Sequence, residues 1–148
     1  MKLLAALQFL AVTVTFALSL ERTRSLEIRD LAANHYSNIT LATLQFTIHD
    51  PSRDITDDCN IAWNTSSVTQ PGLAPYKCQR RHFEFGFRYG IGDIEFFTLV
   101  VQQMNGSAQG YSVVTAHSTN SRWKCVQGPE EGLREHCVWS GTLKIEMD

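Results

Sequence analysis

Alternation of apolar and polar residues dominates this chain. Phe83, Phe85, Phe87 and Tyr89 fall on one side of a segment, and His82, Glu84, Gly86 and Arg88 on the other. That period of two marks a strand with one buried face. Gly90 and Gly92 supply backbone freedom for a reversal. The returning arm, Ile94 to Val101, is apolar on both sides from Phe96 onward, as in a strand covered on both faces.

Other segments repeat the pattern. Leu26 to Leu31 predicts a short first strand, followed by connective chain from Ala32 to Asn38. Ala42, Leu44, Phe46 and Ile48 alternate with Thr43, Gln45, Thr47 and His49. Asp50-Pro51-Ser52 ends that strand, because proline lacks an amide donor. Arg53 to Asp58 reads as a charged loop, Cys59 to Trp63 as a strand, and Asn64 to Tyr76 as a loop rich in Ser, Thr and Pro. Asn105-Gly106 signals a turn before the alternating run Tyr111 to His117. One last strand is expected from about Glu135 to Met147, with Cys137, Trp139, Gly141, Leu143 and Ile145 on one face. No helical periodicity extends over ten residues beyond the N-terminal apolar run. About seven or more strands joined by turns imply an all-β fold, an antiparallel β-barrel or sandwich.

The N-terminus changes the compartment. Met1 to Ser19 has a short basic start, an apolar run interrupted by Gln8 and several threonines, and the small residues Ala17 and Ser19 before a cleavage position. This predicts a secretory signal peptide over residues 1–19, a loose stretch from Leu20 to Ser25, and one extracellular domain over 20–148. A membrane anchor is the alternative, disfavoured by the broken apolar run. Without Lys2 the chain carries 12 cationic and 15 acidic side chains. A mildly acidic chain is not suited to bulk attraction to nucleic acid or an anionic membrane.

Cys59, Cys78, Cys125 and Cys137 are the four cysteines. An even number in a small secreted chain predicts two disulfides, with three connectivities to choose from. Cys59–Cys78 with Cys125–Cys137 is favoured, because each pair flanks a polar, loop-like segment and would staple adjacent strands. The close spacing that zinc sites need is missing, so no metal or cofactor is expected. Sequons at Asn38, Asn64 and Asn105 fall at loops or strand ends, where a glycan would remain in water.

Candidate chemistry is sparse. His82, Glu84 and Arg88 would share the polar face of one arm, with His117 or His136 as a second acid or base. Such a set could serve a small ribonuclease-like enzyme. The preferred expectation is the wet face of a half-buried sheet, since any polar residues two apart on a strand fall together. Arg80 and Arg81 join Lys77, His82 and Arg88 in a locally basic cluster that could meet phosphate or an acidic partner, with a solvated strand entrance as the preferred expectation. Asp54, Asp57 and Asp58 read as a capped, solvated turn rather than a calcium loop. Trp63 and Trp139 are in phase with apolar neighbours and predict core. Trp123, between Arg122 and Lys124, is the tryptophan expected at the surface, where it could stack on a glycan or phenolic ligand.

Several stretches carry a resemblance: Leu26 to Ala32, Leu44 to Ile48, Tyr76-Lys77-Cys78 followed by Phe83 to Phe87, and Tyr111 to Ala116 ahead of Cys125 and Cys137. In order and cysteine spacing the chain resembles the secreted fungal β-barrel family typified by the major allergen of Alternaria. The likeness runs from about Leu26 to Met147. It implies a compact β-barrel with the favoured disulfide pairing and no catalytic activity. It also implies an allergen- or effector-like role in which a host plant defence protein or a small phenolic ligand is bound. Members that dimerise covalently use an additional cysteine near the N-terminus. Here the first cysteine is Cys59, which leaves a monomer or a non-covalent homodimer, with the Phe96–Val101 arm as a surface that a second copy could cover.

Overall fold

The computed structural model describes residues 24–106, 108–128 and 130–148. The expected signal peptide over residues 1–19, and the loose stretch as far as residue 23, lie outside the described residues. Ten strands form among the described residues: β1 (Arg24–Tyr36), β2 (Leu41–Asp50), β3 (Ile55–Asn64), β4 (Tyr76–Lys77), β5 (Phe83–Phe87), β6 (Phe96–Gln103), β7 (Gln109–Thr115), β8 (Trp123–Gln127), β9 (Leu133–Trp139) and β10 (Leu143–Met147). One sheet runs β3-β2-β1-β9-β8 with β10 also on β1, and the other runs β4-β5-β6-β7. All strand pairs are antiparallel.

β1 is longer than its pattern predicts. Leu26 and Ile28 are buried, then Leu31 and Ala33. The inward phase therefore moves from even to odd positions. A bulge between Arg29 and Ala32 causes the change, with Asp30 at φ 53°. An inserted residue flips every later side chain to the other face. Ala32 to Tyr36, expected as connective chain, therefore continue the strand, and Arg24 and Ser25, expected as a loose terminus, already belong to it.

The expected C-terminal strand is broken at the same level. β9 pairs with Ala32–Tyr36 and β10 with Arg24–Ile28, end to end along one edge of β1. Between them Gly141 takes φ 83°. It is a corner residue rather than a member of the inward face.

The two sheets pack as a sandwich. Phe46, Leu44 and Ile48 from β2 meet Phe83, Phe85 and Phe87 from β5 and Phe97, Leu99 and Val101 from β6, all buried. The aromatic rings meet edge to face: Phe46 on Phe85 at 5.0 Å, Phe87 on Phe97 at 5.9 Å, Phe97 on Trp123 at 5.9 Å. This geometry sets the positive ring edge against a negative face.

Two seams stitch the sheets without closing them into one barrel. At one, the Gln109 N–H donates to the Asp148 carbonyl at 3.2 Å and the Asp148 N–H to the Gln109 carbonyl at 3.0 Å. A Cβ on the neighbouring Gly110 would lie 2.3 Å from the Glu146 carbonyl oxygen, so only glycine allows this approach. At the other, the Gln79 N–H donates to the Asp58 carbonyl at 2.8 Å, and the Cys59–Cys78 disulfide joins β3 to the residue after β4. Cys125–Cys137 links directly opposed residues of β8 and β9.

The hairpin at the centre of the sequence pattern forms with shorter arms. β5 stops at Phe87, and Gly90 turns the chain at φ 79°. Tyr89, expected on the buried face, is 83% exposed, because the strand has ended before the alternation reaches it. β6 is buried on both faces from Phe97 to Val101. On its outer side Val100 lies beside Leu73 of the 71–75 segment, which is held by hydrogen bonds from the Phe87 N–H to the Gly72 carbonyl and from the Ile91 N–H to the Pro71 carbonyl, both 3.0 Å. Phe96, at the open end, remains half exposed.

Candidate functional site

The basic residues of the hairpin entrance are presented by a buried carboxylate. Asp57, expected in a solvated loop, lies within β3 and is 1% exposed. It accepts hydrogen bonds from the Arg80 N–H at 2.7 Å and the His82 N–H at 2.9 Å. Arg81 between them takes φ 57°. The turn is clamped from beneath, and the side chains of Arg80, Arg81 and His82 face water. Asp57→Ala is expected to cost about 2–4 kcal/mol, since it strands two amide donors that now have a charged acceptor. Urea denaturation checks this, and an unchanged midpoint would show that the clamp contributes nothing.

The predicted ribonuclease-like set does not converge. His82 is in the turn, and Glu84 sits on β5 opposite Lys77 and Gln102. Arg88 lies beyond the strand, its guanidinium carbon 5.0 Å above the Tyr111 ring. Among the described residues no hydrogen bond or ion pair joins any two of these three. His136 lies in the other sheet, away from the hairpin, with its Nδ1 2.6 Å from Asn34 Oδ1, and His117 Nε2 is 3.8 Å from Glu95. Trp123, expected at the surface, is fully buried and donates its indole N–H to the Ile94 carbonyl at 2.9 Å. Its charged neighbours Arg122 and Lys124 point outward because they alternate with it. Trp63 is core, and Trp139 packs against the core.

Arg88 marks a surface the sequence only half indicates. Tyr111 and Val113 of β7 are 53% and 50% exposed, two apart and so on one outward face. Tyr111 stands opposite Val100 of β6. A groove of about 450 Å³ is lined by Leu73, Arg88, Val100, Gln109, Tyr111 and Asp148. It combines an apolar floor, an aromatic ring, a cation and hydrogen-bonding ends, the elements of a small-ligand site.

A second cleft, of about 470 Å³, opens between the sheets. It is lined by Asp93 and Glu95 ahead of β6, Arg134 and Glu135 of β9, Gln127 of β8 and His35 of β1. Burial pushes the Glu135 carboxyl up to about 7, helped by a hydrogen bond with Glu95 and by the charges of Glu95 and Asp93, with Arg134 opposing. This cleft is not legible in the sequence: its acids lie about forty residues apart, and the packing of the segment before β6 against β9 brings them together.

The three sequon asparagines are exposed. Asn38 is in the β1–β2 turn, Asn64 ends β3 with its Oδ1 accepting the Ser66 N–H at 2.8 Å, and Asn105 is in the turn after β6.

No protein-family model matches the sequence, and no curated protein does. The fold does have a counterpart. The chain is similar to the crystal structure of the Alternaria alternata allergen Alt a 1, with 14% identity, 91% of this chain and 95% of that chain covered, and a TM-score of 0.53. The two proteins share an all-β architecture along almost their whole lengths.

Proposed function

We propose that this chain is a secreted, allergen- or effector-like protein that works by binding, without catalysis, and that its ligand is a small planar phenolic compound. The observation that carries the reading is the Arg88–Tyr111 stack over the groove of about 450 Å³. A phenol ring can lie against the Tyr111 and Val100 surface while its oxygen accepts from Arg88 or its O–H donates to Asp148. Secretion is supported by the signal peptide expected over residues 1–19, by four cysteines all paired in disulfides and by exposed sequons. The fold it shares with an allergen is consistent with this role.

Calorimetric titration with a panel of plant phenolics tests the proposal. At least one is expected to bind, and Tyr111→Ala is expected to weaken it about tenfold, the loss of one aromatic contact. If the wild type binds none, the ligand reading fails. A plant apoplastic protein retained by the wild type and lost on Tyr111→Ala would replace it with docking of a host defence protein on the same face.

A further inference from the structure

A disulfide lies beside Glu135, one of the residues that line the acidic cleft. Cys125 of β8 and Cys137 of β9 are directly opposed. A carboxylate oxygen of Glu135 lies within 4.8 Å of both sulfurs. Glu135 is two residues before Cys137 on β9, so its side chain is on the same face. Cys137 is fully buried, whereas Cys125 is partly exposed. The groups around Glu135 are Glu95 and Asp93 from the segment before β6, Arg134 on its own strand, His35 from β1 and the neutral Gln127 from β8. His117, after β7, reaches Glu95.

We propose that Cys125–Cys137 is a reducible disulfide served by its own acid catalyst, Glu135, and that its reductant is a small thiol of the glutathione class. The asymmetry of exposure sets the direction of attack. Cys125 is the more exposed partner, so the incoming thiolate is assigned to its Sγ and the departing sulfur is that of Cys137. A thiolate left at Cys137 would be buried without a countercharge, which is costly. The protonated Glu135 carboxyl removes that cost by transferring its proton to the leaving sulfur.

The step balances. The thiolate forms a bond to Cys125 Sγ, the Cys125–Cys137 bond breaks with its electron pair on Cys137 Sγ, and the proton of Glu135 passes to that sulfur. A second thiolate then attacks the external sulfur of the mixed disulfide. The small disulfide departs and Cys125 is left as a thiolate that takes a proton from solvent. Overall, two thiols are oxidised to one disulfide and the protein disulfide is reduced to two thiols. Glu135 regains its proton from water at the cleft mouth. Burial and the facing Glu95 and Asp93 keep the acid form available up to about pH 7, well above where an ordinary glutamic acid has ionised.

Reduction of the intact protein by glutathione between pH 5.5 and 8.5, followed by alkylation and mass spectrometry, tests this. Each rate is divided by the concentration of glutathione thiolate. For Cys59–Cys78 the corrected rate is expected to be flat. For Cys125–Cys137 it is expected to fall by up to tenfold per pH unit above about 7, as general-acid catalysis requires. Glu135→Gln is expected to slow the Cys125–Cys137 step at pH 6 by about 100-fold and to abolish the pH dependence. Glu95→Gln leaves the acid in place but removes the facing charge, so the inflection is expected to move to lower pH. A flat profile for Cys125–Cys137 in the wild type would overturn the proposal, as would a Glu135→Gln profile that matches the wild type. If Glu135→Gln does not fold, an unmoved inflection in Glu95→Gln has the same force.

Discussion

Trp123→Ala is expected to lower the unfolding free energy by about 3–5 kcal/mol, the cost of a large-to-small change in a close-packed core. Trp123 heads the fully buried side chains ranked by volume. Its ring meets Phe97 edge to face at 5.9 Å, and its indole N–H satisfies the Ile94 carbonyl. For a domain of ordinary stability the loss is about a fifth or more of the total. Trp123→Phe retains most of the volume and removes the hydrogen bond, so about 1–3 kcal/mol is expected. Urea denaturation followed by circular dichroism measures both. An alanine variant within about 0.5 kcal/mol of wild type would return Trp123 to the surface, where its flanking charges suggest it belongs.

The second large effect concerns pH. Stability is expected to peak near pH 5 and to decline on both sides, and two carboxyls act in opposite directions. Burial pushes Asp50 up, but hydrogen bonds from Ser52, Arg53 and Arg24 outweigh it and hold its pKa well below the usual 3.8. Asp50 is fully buried, with Arg53 Nε at 2.7 Å and Arg24 as a second ion pair. The folded state therefore binds its proton more weakly than the unfolded state. The stabilisation is present above pH 3.8 and is lost as the pH falls below it. Asp50→Asn is expected to cost about 3 kcal/mol at pH 6, because it leaves two arginines facing a neutral amide.

Glu135 has the opposite sign. Its folded pKa lies above the ordinary 4.5, at about 7, so the folded state binds the proton more tightly. Its contribution is complete below pH 4.5 and is lost as the pH rises through about 7. Unfolding midpoints at pH 3, 5 and 8 check the curve. Asp50→Asn is expected to flatten the acid limb and Glu135→Gln the alkaline limb. A wild-type midpoint that rises from pH 5 to pH 8 contradicts the assignment of Glu135.

The strands that show in the sequence are those whose alternation is unbroken. β2 buries every second residue and β5 buries its three phenylalanines, and both were legible from Ala42, Leu44, Phe46 and Ile48 and from Phe83, Phe85 and Phe87. Where the backbone gains or loses a step, the pattern misleads. The Asp30 bulge changed the inward phase of β1, and the small Ala33 on the buried side made Ala32 to Tyr36 look like connecting chain. At Tyr89 the alternation outlived the strand. Trp123 was misplaced because its neighbours in sequence are charged, whereas burial is decided by its neighbours in space. The cysteine pairing was readable, since each bridge spans a short polar segment. The candidate sites were less so. Arg88 stood out as a basic side chain, but its stacking on Tyr111 of another strand did not. The Glu95–Glu135 contact and the disulfide beside it depend on sheet order, which no local spacing encodes.

The position of β1 also bears on the order in which the protein can be made. Its β2 side is satisfied by residues that follow at once, Leu41 to His49. Its opposite edge waits for Leu133 to Met147, which are synthesised only after β2 to β8. During synthesis a half-built β1–β2–β3 meander would therefore carry one long row of unpaired amides and carbonyls, the template on which foreign strands add. Completion of the native sheet is a late, long-range event, slow by the entropy of closing so large a loop. Oxidative folding would then favour the Cys59–Cys78 bridge first, locking the early half before the C-terminal strands arrive to cover its open edge.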